Sequence, residues 1–504
     1  MSLVVADPWF VQNFMAFITM YAMAKSIGYT GVPAHENWRL VQLFMFVRNS
    51  PTDNHYAHPL DFVAIADLIG GHVTEIERLP AGEGFGVREI RPRVPKTEHN
   101  YDPDLLGSAF LRKDLKPWEC SRVAEVQIQV EASMWFQIDR LKLCDRNNVE
   151  VAHLLSYTVS ITVKGSSSIT LPTKMATSCS IWPFNRKTAF DVGDYGLGFC
   201  ANSLTLGCDC LGTIQYFDGV LNDHKGEPSV IKNAVCIHEE DAGTLWKHTE
   251  YRTGKVALAR SRRLVISFIV TVVNYEYALY WYLYTDATIA FEIKATGELS
   301  TNLLEQGATP SGYGTTVAPQ INGQYHQLVT TSSLENFSIQ HMFSMRLDPM
   351  IDGVKNTVSQ VDVVPLEGDV GSNTNPYGQG FTLREIPLKT THTEQGQANS
   401  LSGRIWKISN PSSLHPFTGQ PVAWKLVPMN TPPLMAKPGS IIHRRAGFAK
   451  RSLWVTPYHD EQMFAAGFYV NQSYGGAGLD EWTKEKKNVE DEDVVIWHTF
   501  GVTQ

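Results

Sequence analysis

The chain of 504 residues carries a formal net charge of −8 that is spread along its length, which excludes a nucleic-acid surface because such a surface needs a clustered basic face. Its length exceeds one ordinary domain, so we expect at least two domains. Hydrophobic residues make up 43% of the chain, which excludes an intrinsically disordered protein, and seven cysteines are too few for a disulfide-rich scaffold.

An apolar stretch, residues 10–28, raises the question of membrane insertion. It contains Gln12, Asn13 and Lys25, whereas a membrane span needs about 20 largely uncharged residues. We therefore expect a packed helix or an irregular insert here, and no membrane partner. Neither a positively charged leader nor a peroxisomal tripeptide is visible, so the sequence leaves the compartment open.

The next elements predict a small unit of mixed helix and strand. Trp38–Arg48 has the apolar spacing of a helix, whereas Asp61–Ala66 and Val73–Leu79 are typical of short strands around Gly70-Gly71. The stretch Arg91–Pro117 is rich in proline and charged residues, which indicates a linker. A small N-terminal domain followed by a larger unit is therefore expected.

Beyond the linker, short runs of β-branched and aromatic residues alternate with Gly, Pro and Asn turns, and helical periodicity is nearly absent. This pattern predicts a mainly β fold, a large antiparallel β-sandwich rather than a parallel α/β sheet. The clearest runs are Ala124–Val130, Leu154–Val163, Leu211–Tyr216, Thr288–Ile293 and His341–Leu347.

One longer run, Leu264–Thr285, contains no proline or glycine and predicts a single buried strand. In its middle lies Thr271-Val272-Val273-Asn274-Tyr275-Glu276-Tyr277. Buried polar groups need hydrogen-bond partners, so an Asn and a Glu beside Tyr275 are unusual in a core strand. Taken alone, the pattern most often indicates a satisfied core tyrosine.

The spacing Thr-x-x-Asn-Tyr-Glu-Tyr resembles the cofactor motif of the copper amine oxidases. The resemblance implies that Tyr275 is oxidised in place to topaquinone, which forms a Schiff base with a primary amine. It also implies a copper ion, and a reaction in which amine, oxygen and water give an aldehyde, ammonia and hydrogen peroxide. The resemblance is loose over residues 26–160 and close over 183–503, apart from 328–340.

The segment Arg186–Gly196 resembles the catalytic-base motif of the same family. The resemblance makes Asp191 the proton acceptor, whereas an Asp beside glycines is otherwise more often a turn residue. A carboxylate can take a proton from carbon if burial raises its pKa towards neutrality. Ala189 occupies the position of the substrate gate, and its small side chain predicts a wide channel mouth.

Two histidines, His326 and His341, resemble the copper-binding His-x-His of the family, and imidazole nitrogen suits copper. In this chain the stretch Leu328–Gln340 separates them. We interpret it as an insert, either a loop or retained non-coding sequence. The two ligands can still meet if the insert loops out, because loop closure costs only roughly a few kcal/mol.

The third copper ligand of the family would follow Phe500-Gly501-Val502-Thr503, where this chain has Gln504. An amide is a poor copper ligand beside imidazole. This departure supports an alternative function, a catalytically impaired member of the fold that acts as a scaffold.

The resemblance implies two further features. Asp348 and Asp493 match a second site for calcium or manganese, but Met350 replaces a third carboxylate, and the alternative is a pair of solvated surface carboxylates. Cys210 and Cys236 match the disulfide of the family, and the alternative is two buried free thiols.

The resemblance also divides the chain into domains. We expect a small α+β domain over 1–105 with an insert at 10–25, a linker over 106–125, and a β-sandwich catalytic domain over 126–504. Family members are homodimers, so a homodimer is expected here, with a primary amine and oxygen as the small-molecule partners.

Overall fold

The structure is a computed structural model in which antiparallel strands dominate. Within the part of the chain that it describes, the only α-helices are two short ones, α1 (Ile441–Arg445) and α2 (Leu479–Trp482), and no helix there is long and apolar enough to cross a membrane. The described residues are 20–26, 38–56, 58–78, 98, 128–132, 137–144, 150–154, 159–160, 169–170, 172–175, 190–191, 197–223, 225–272, 274–298, 301–305, 314–316, 332–337, 339–391, 396–468 and 473–503.

The N-terminal unit is a four-stranded antiparallel sheet in chain order, formed by β1 (Met20–Ser26), β2 (Leu40–Val47), β3 (Pro59–Asp67) and β4 (His72–Arg78). The strands predicted at Asp61–Ala66 and Val73–Leu79 are confirmed. The helix predicted at Trp38–Arg48 is wrong, because that segment is β2. Side chains on both faces of β2 are buried, so the alternation that marks a half-exposed strand is missing from its sequence.

Part of the apolar stretch at 10–25 is also a strand. Residues from Met20 onward form β1, which pairs with β2 along its whole length. The prediction of a helix or an irregular insert is therefore wrong for these residues, and residues 10–19 lie outside the described part of the chain. The described residues of 1–105 contain strands and no helix.

A second group of strands leads into the larger unit. It comprises a four-stranded sheet of β5 (Ile128–Ala132), β6 (Gln137–Cys144), β7 (Glu150–Leu154) and β8 (Val159–Ser160), then three short strands β9 (Ile169–Thr170), β10 (Pro172–Met175) and β11 (Phe190–Asp191). A 3-10 helix, Leu197–Cys200, follows β11.

A five-stranded antiparallel sheet follows in chain order: β12 (Ile214–Asn222), β13 (Pro228–Thr249), β14 (Val256–Val272), β15 (Tyr275–Tyr284) and β16 (Ile289–Gly297). The single strand predicted over Leu264–Thr285 is wrong. The chain reverses between Val272 and Tyr275, which are register partners of the β14–β15 hairpin. This turn contains neither proline nor glycine, and only Asn274 is a common turn residue. The sequence therefore offers little indication that the chain reverses here.

The stretch predicted as an inserted loop, 328–340, also contains a strand. Three strands, β17 (Thr301–Glu305), β18 (Gly314–Thr316) and β19 (Ser332–Phe337), form a small antiparallel sheet with β19 in the middle. The loop prediction is therefore wrong for Ser332–Phe337, and also for Ile339 and Gln340, which begin the next strand. That the stretch is an insertion relative to the family remains a prediction.

The largest sheet has ten strands. Besides β9–β11 it contains β20 (Ile339–Leu347), β21 (Lys355–Pro365), β22 (Phe381–Pro387), β23 (Ile405–Leu414), β24 (Pro421–Leu426), β25 (Leu453–Pro457) and β26 (Glu492–Thr503). Phe343 of β20 packs among Val270, Tyr277 and Leu279 of the five-stranded sheet. The two sheets therefore bury an apolar layer between them, and the predicted mainly β, antiparallel sandwich is confirmed.

Candidate active site

Tyr275 begins β15, directly after the turn of the β14–β15 hairpin. Its side chain is 4% exposed and packs in the apolar layer between the two sheets. Alternation along the strand places Tyr277 on the same face and Glu276 on the opposite face. The motif therefore presents two tyrosines to the interior of the sandwich.

The turn itself is held against the end of β16. The Asn274 side chain donates a hydrogen bond of 2.7 Å to the carbonyl of Glu298, whose amide donates one of 2.7 Å to the Asn274 carbonyl. Gly297 has φ of +101°, and a Cβ at that position would lie 2.6 Å from the Asn274 carbonyl oxygen. The close approach that fixes Tyr275 thus requires glycine on the neighbouring strand.

The imidazole of His341 on β20 lies beside both tyrosines. His341 is 1% exposed, its ring centroid is 5.3 Å from that of Tyr275, and the two rings are nearly perpendicular at 79°. Nδ1 of His341 shares a hydrogen bond of 2.9 Å with the Tyr277 hydroxyl. Because Nδ1 is engaged in this way, a metal ion bound by His341 would be held through Nε2.

The strand that carries Asp191 belongs to the same sheet as His341. Thr173 of β10 pairs with Phe190 on one side and with His341 on the other, and Asp191 pairs with Pro172. Neighbouring strands lie about 4.8 Å apart, so the backbones of Phe190 and His341 are about 10 Å apart. The side chain of Asp191 lies outside the described residues, as do Ala189, His326 and Gln504.

The end of the chain runs beside the strand of His341. Strand β26 pairs with β20, with Val502 opposite His341 and Thr503 opposite Gln340. The described residues contain no group of three or more His, Cys, Asp or Glu side chains placed to hold one metal ion. Among the described residues, the candidate copper ligand at this site is the buried imidazole of His341.

The carboxylates predicted as a second metal site are close to each other. Burial raises the pKa of Asp348, while Arg346, whose guanidinium lies 3.3 Å from its carboxylate, lowers it. Burial and the negative charge of Asp348 both raise the pKa of Asp493, against a smaller opposite effect of Arg346. Asp348 is exposed and Asp493 is half-buried, so the metal site and the alternative of solvated surface carboxylates both stay predictions.

The predicted disulfide is not formed in this structure. Cys210 and Cys236 are both buried free thiols in one apolar cluster. The Cys236 sulfur also lies 3.3 Å from Nδ1 of His238. Burial raises the pKa of both thiols.

Sequence reasoning missed two side chains that hold this region together. Gln340, which we placed in the insert, is 6% exposed, and its amide donates to the carbonyl of Pro433 at 2.7 Å and accepts from the amide of Met435 at 2.9 Å. Asn202 accepts a hydrogen bond of 3.0 Å from Thr271, the first residue of the cofactor motif. In the sequence, Thr271 of the motif was the feature that pointed to a hydrogen-bond partner here.

Comparisons with a family model and with curated proteins give consistent matches. A family model described as "Copper amine oxidase, enzyme domain" matches residues 179–504. The chain is 38% identical over 494 residues to the primary amine oxidase of Arthrobacter sp. (strain P1), covering 95% of this chain and 69% of the relative. It is 37% identical over 486 residues to copper amine oxidase 1 of Schizosaccharomyces pombe, covering 92% of this chain and 64% of the relative.

A solved structure with a similar fold also matches this chain. The crystal structure of a copper-containing benzylamine oxidase from Hansenula polymorpha matches with a TM-score of 0.80 at 29% identity, covering 100% of this chain and 77% of that chain. The chain spans about two thirds of the length of the curated relatives named above, 64% of one and 69% of the other.

Proposed function

This chain belongs to the copper amine oxidase family, and we propose that it oxidises primary amines to aldehydes with release of ammonia and hydrogen peroxide. One observation carries the proposal. Tyr275, in the position of the family cofactor tyrosine, is buried in ring contact with His341, the residue that resembles a copper ligand. A metal held by that imidazole would be adjacent to the phenol whose oxidation by molecular oxygen it would promote.

His341 would hold copper beside Tyr275, and copper, when bound, would promote oxidation of that ring by molecular oxygen, which supplies the carbonyl that reacts with the amine. The protein contributes a buried apolar site that excludes water from the ring. The hydroxyl of Tyr277 orients the imidazole of His341 through Nδ1. We propose that Asp191 removes the proton from the α-carbon of the substrate as the general base.

We propose that His326 and His341 are copper ligands and that position 504 is the third. Val502 is the register partner of His341, and alternation predicts that the side chain two positions later faces the same side. Imidazole binds copper far better than an amide does. The Gln504→His variant is therefore expected to bind copper more tightly than the parent chain, and equal affinity would remove position 504 from the ligand set.

We also propose a wide substrate channel. Ala189 at the gate position leaves room for bulky amines, and the similar protein from Hansenula polymorpha is named a benzylamine oxidase. An Ala189→Phe variant should lower kcat/KM for benzylamine more than for methylamine. Equal losses for the two amines would show that position 189 does not set the width of the channel.

A hard cation, calcium or manganese, is proposed at Asp348 and Asp493. The support is that Asp348 directly follows β20, whose last residue pairs with β26, the strand that carries Asp493, together with the preference of these ions for carboxylate oxygen. The expected result is a higher unfolding temperature in calcium or manganese for the parent chain but not for Asp348→Asn. A shift of equal size in both proteins would contradict the site.

We propose, finally, that the chain forms a homodimer and that Cys210 and Cys236 form a disulfide in an oxidising compartment. The support for the bond is that the two cysteines are buried in the same apolar cluster. Thiol counting after aerobic storage should find this pair blocked and Cys208, which is exposed, still reactive.

The catalytic proposal is tested by a redox-cycling quinone stain of protein incubated with copper in air. The parent chain should stain and should turn over amine, and the Tyr275→Phe variant should do neither while retaining its fold. A parent chain that takes up copper but neither stains nor turns over amine would contradict the proposal and would favour the scaffold alternative.

A further inference from the structure

Three polar side chains follow one another at alternate positions of β13. They are Cys236, His238 and Glu240, and alternation places them on one face of the strand. The residues between them in the chain point the other way, since Val235 and Ile237 pack in the apolar layer between the two sheets. The polar row therefore lies on the face of the five-stranded sheet opposite to the candidate active site.

Hydrogen bonds connect the three side chains in a continuous line. The Cys236 sulfur lies 3.3 Å from Nδ1 of His238, and Nε2 of His238 lies 3.0 Å from Oε1 of Glu240. Oε2 of Glu240 accepts two hydrogen bonds from Arg263, one of 2.9 Å from Nε and one of 2.7 Å from Nη2. The thiol and the imidazole are buried, since Cys236 is 0% exposed and His238 is 8% exposed.

The charge at the end of this line fixes the position of each proton. Two hydrogen bonds from the Arg263 guanidinium favour the ionised form of Glu240, which can then only accept. Nε2 of His238 must therefore carry a proton, and in the neutral imidazole Nδ1 is left to accept one from the Cys236 thiol. A thiol, an imidazole that can take its proton and a carboxylate that orients the imidazole are the parts of an activated nucleophile.

The burial of Cys236 limits the reactions that are open to this thiol. The same apolar cluster contains Cys210, so a second thiol is at hand, whereas a surface that is 0% exposed excludes bulky reagents. Hydrogen peroxide is an oxidant small enough to fit. It converts a thiol to a sulfenic acid, which a second thiol condenses to a disulfide.

We propose that His238 is the base that accepts the proton of the Cys236 thiol when hydrogen peroxide oxidises this thiol to a disulfide with Cys210. The sulfur attacks one peroxide oxygen, the O–O bond breaks, and the imidazolium returns the proton to the departing hydroxide, which leaves as water. The Cys210 thiol then displaces a second water from the sulfenic acid. Two thiols lose two electrons and two protons, and one hydrogen peroxide becomes two waters.

In this scheme Glu240 and Arg263 are positioning residues, because they keep Nδ1 of His238 free and stabilise the imidazolium without touching the sulfur. The inference rests on the proposed disulfide, for which it supplies the base and the oxidant. If the chain also releases hydrogen peroxide from amines, as proposed, its own product would close the bond.

The rate of disulfide closure in the full, copper-free chain tests the role of His238. Reduced protein is mixed with hydrogen peroxide, catalase and then N-ethylmaleimide in denaturant stop the reaction, and peptide mapping quantifies the bond between Cys210 and Cys236. His238→Gln should slow closure by about 100-fold, because it removes a positioned base. His248→Gln, at an exposed histidine of the same strand, should keep the parent rate. Closure at the parent rate in His238→Gln would overturn the proposal.

A second variant and a spectrum separate proton transfer from packing. Glu240→Gln retains an acceptor for Nε2 of His238 but not the charge that stabilises the imidazolium, so closure should slow while the unfolding midpoint stays near that of the parent. Imidazole nitrogen-15 NMR of the parent, assigned by the signal lost in His238→Gln, should show the proton on Nε2 and none on Nδ1. A proton on Nδ1, or closure at the parent rate in Glu240→Gln, would overturn the proposal.

These outcomes are distinct from a failure of the proposed function. A parent chain that forms no quinone but shows the rate difference would contradict amine oxidation alone. A bond that closes equally fast in His238→Gln would leave the proposed disulfide standing and remove the base. A parent chain in which hydrogen peroxide closes no bond between Cys210 and Cys236 would contradict both the disulfide and this inference.

Discussion

At the scale of single residues, the neighbours of Tyr275 determine what its ring can do. The ring lies in an apolar layer, and the imidazole of His341 beside it is held by a 2.9 Å hydrogen bond with Tyr277. In such a dry environment, fixed dipoles and charges act more strongly than they do in water. Around a tyrosine ring on the protein surface, water would weaken these electrostatic effects.

A second buried histidine, His498 on β26, should make the fold sensitive to acid. Burial lowers its pKa from 6.5 to about 4. The unfolded chain therefore binds a proton that the folded chain does not between about pH 6.5 and 4, so stability falls as pH falls through this window, by about 3 kcal/mol in total. Urea unfolding should show a shallower acid limb for His498→Gln than for the parent.

The matched control for this prediction is His459→Gln, since His459 is exposed. That variant should keep the acid limb of the parent protein. An unchanged limb in His498→Gln would show that this imidazole does not control acid stability.

At the scale of elements, the β14–β15 hairpin needs Gly297. An alanine there would take a φ of +101° and bring its Cβ to 2.6 Å from a backbone oxygen, so Gly297→Ala should cost about 3 kcal/mol or more of unfolding free energy. Gly254→Ala is the control, with φ of +69° and open space around its Cβ, and should cost about 1 kcal/mol. Equal losses in urea unfolding would contradict the steric argument.

The strand of His341 is held from the side by Gln340. Replacing it by leucine leaves the carbonyl of Pro433 and the amide of Met435 unpaired, so Gln340→Leu should lower the unfolding free energy by about 2 kcal/mol. It should also weaken copper binding, because the ligand strand loses its lateral contact. Gln215→Leu, at an exposed glutamine, should change neither quantity, and a similar loss there would contradict the prediction.

How far the sequence predicts these elements depends on how local their determinants are. Strands such as β16 and β20 follow from their own β-branched and aromatic residues. The turn before Tyr275 does not, because it is stabilised by Gly297 and Glu298 on another strand. In the same way β2 has an apolar pattern that fits a helix, and only the burial of both its faces makes it a strand.

At the scale of the whole molecule, the long β13–β14 hairpin exposes apolar side chains. Leu245 is 44% exposed, Trp246 is 53% and Leu258 is 53%, which is more than a monomer commonly leaves on one projecting element. If the chain is a homodimer, as proposed, a symmetric contact could cover this surface. Trp246→Glu should then shift the sedimentation equilibrium towards monomer.

Leu68→Glu is the matched control, since Leu68 is also exposed, at 57%, but lies in the turn between β3 and β4 and is not part of this hairpin. It should leave the association unchanged. A parent protein that sediments as a monomer at all concentrations would contradict the homodimer itself.

The candidate site was predictable in part at this scale. The heptad around Tyr275 and the position of His341 follow from short sequence patterns, and the fold brings them into contact. Gln340 and Asn202 were not predictable, because each contacts a segment that is remote in sequence, Pro433 in one case and Thr271 in the other.

The central claim is that the Tyr275 ring becomes the redox group of the protein. Its most direct test is peptide mapping by mass spectrometry of protein loaded with copper in air and then treated with phenylhydrazine. We predict an oxidised ring carrying the phenylhydrazine adduct at Tyr275 and an unmodified phenol at Tyr277. An unmodified Tyr275 in protein whose copper content has been verified would contradict the account.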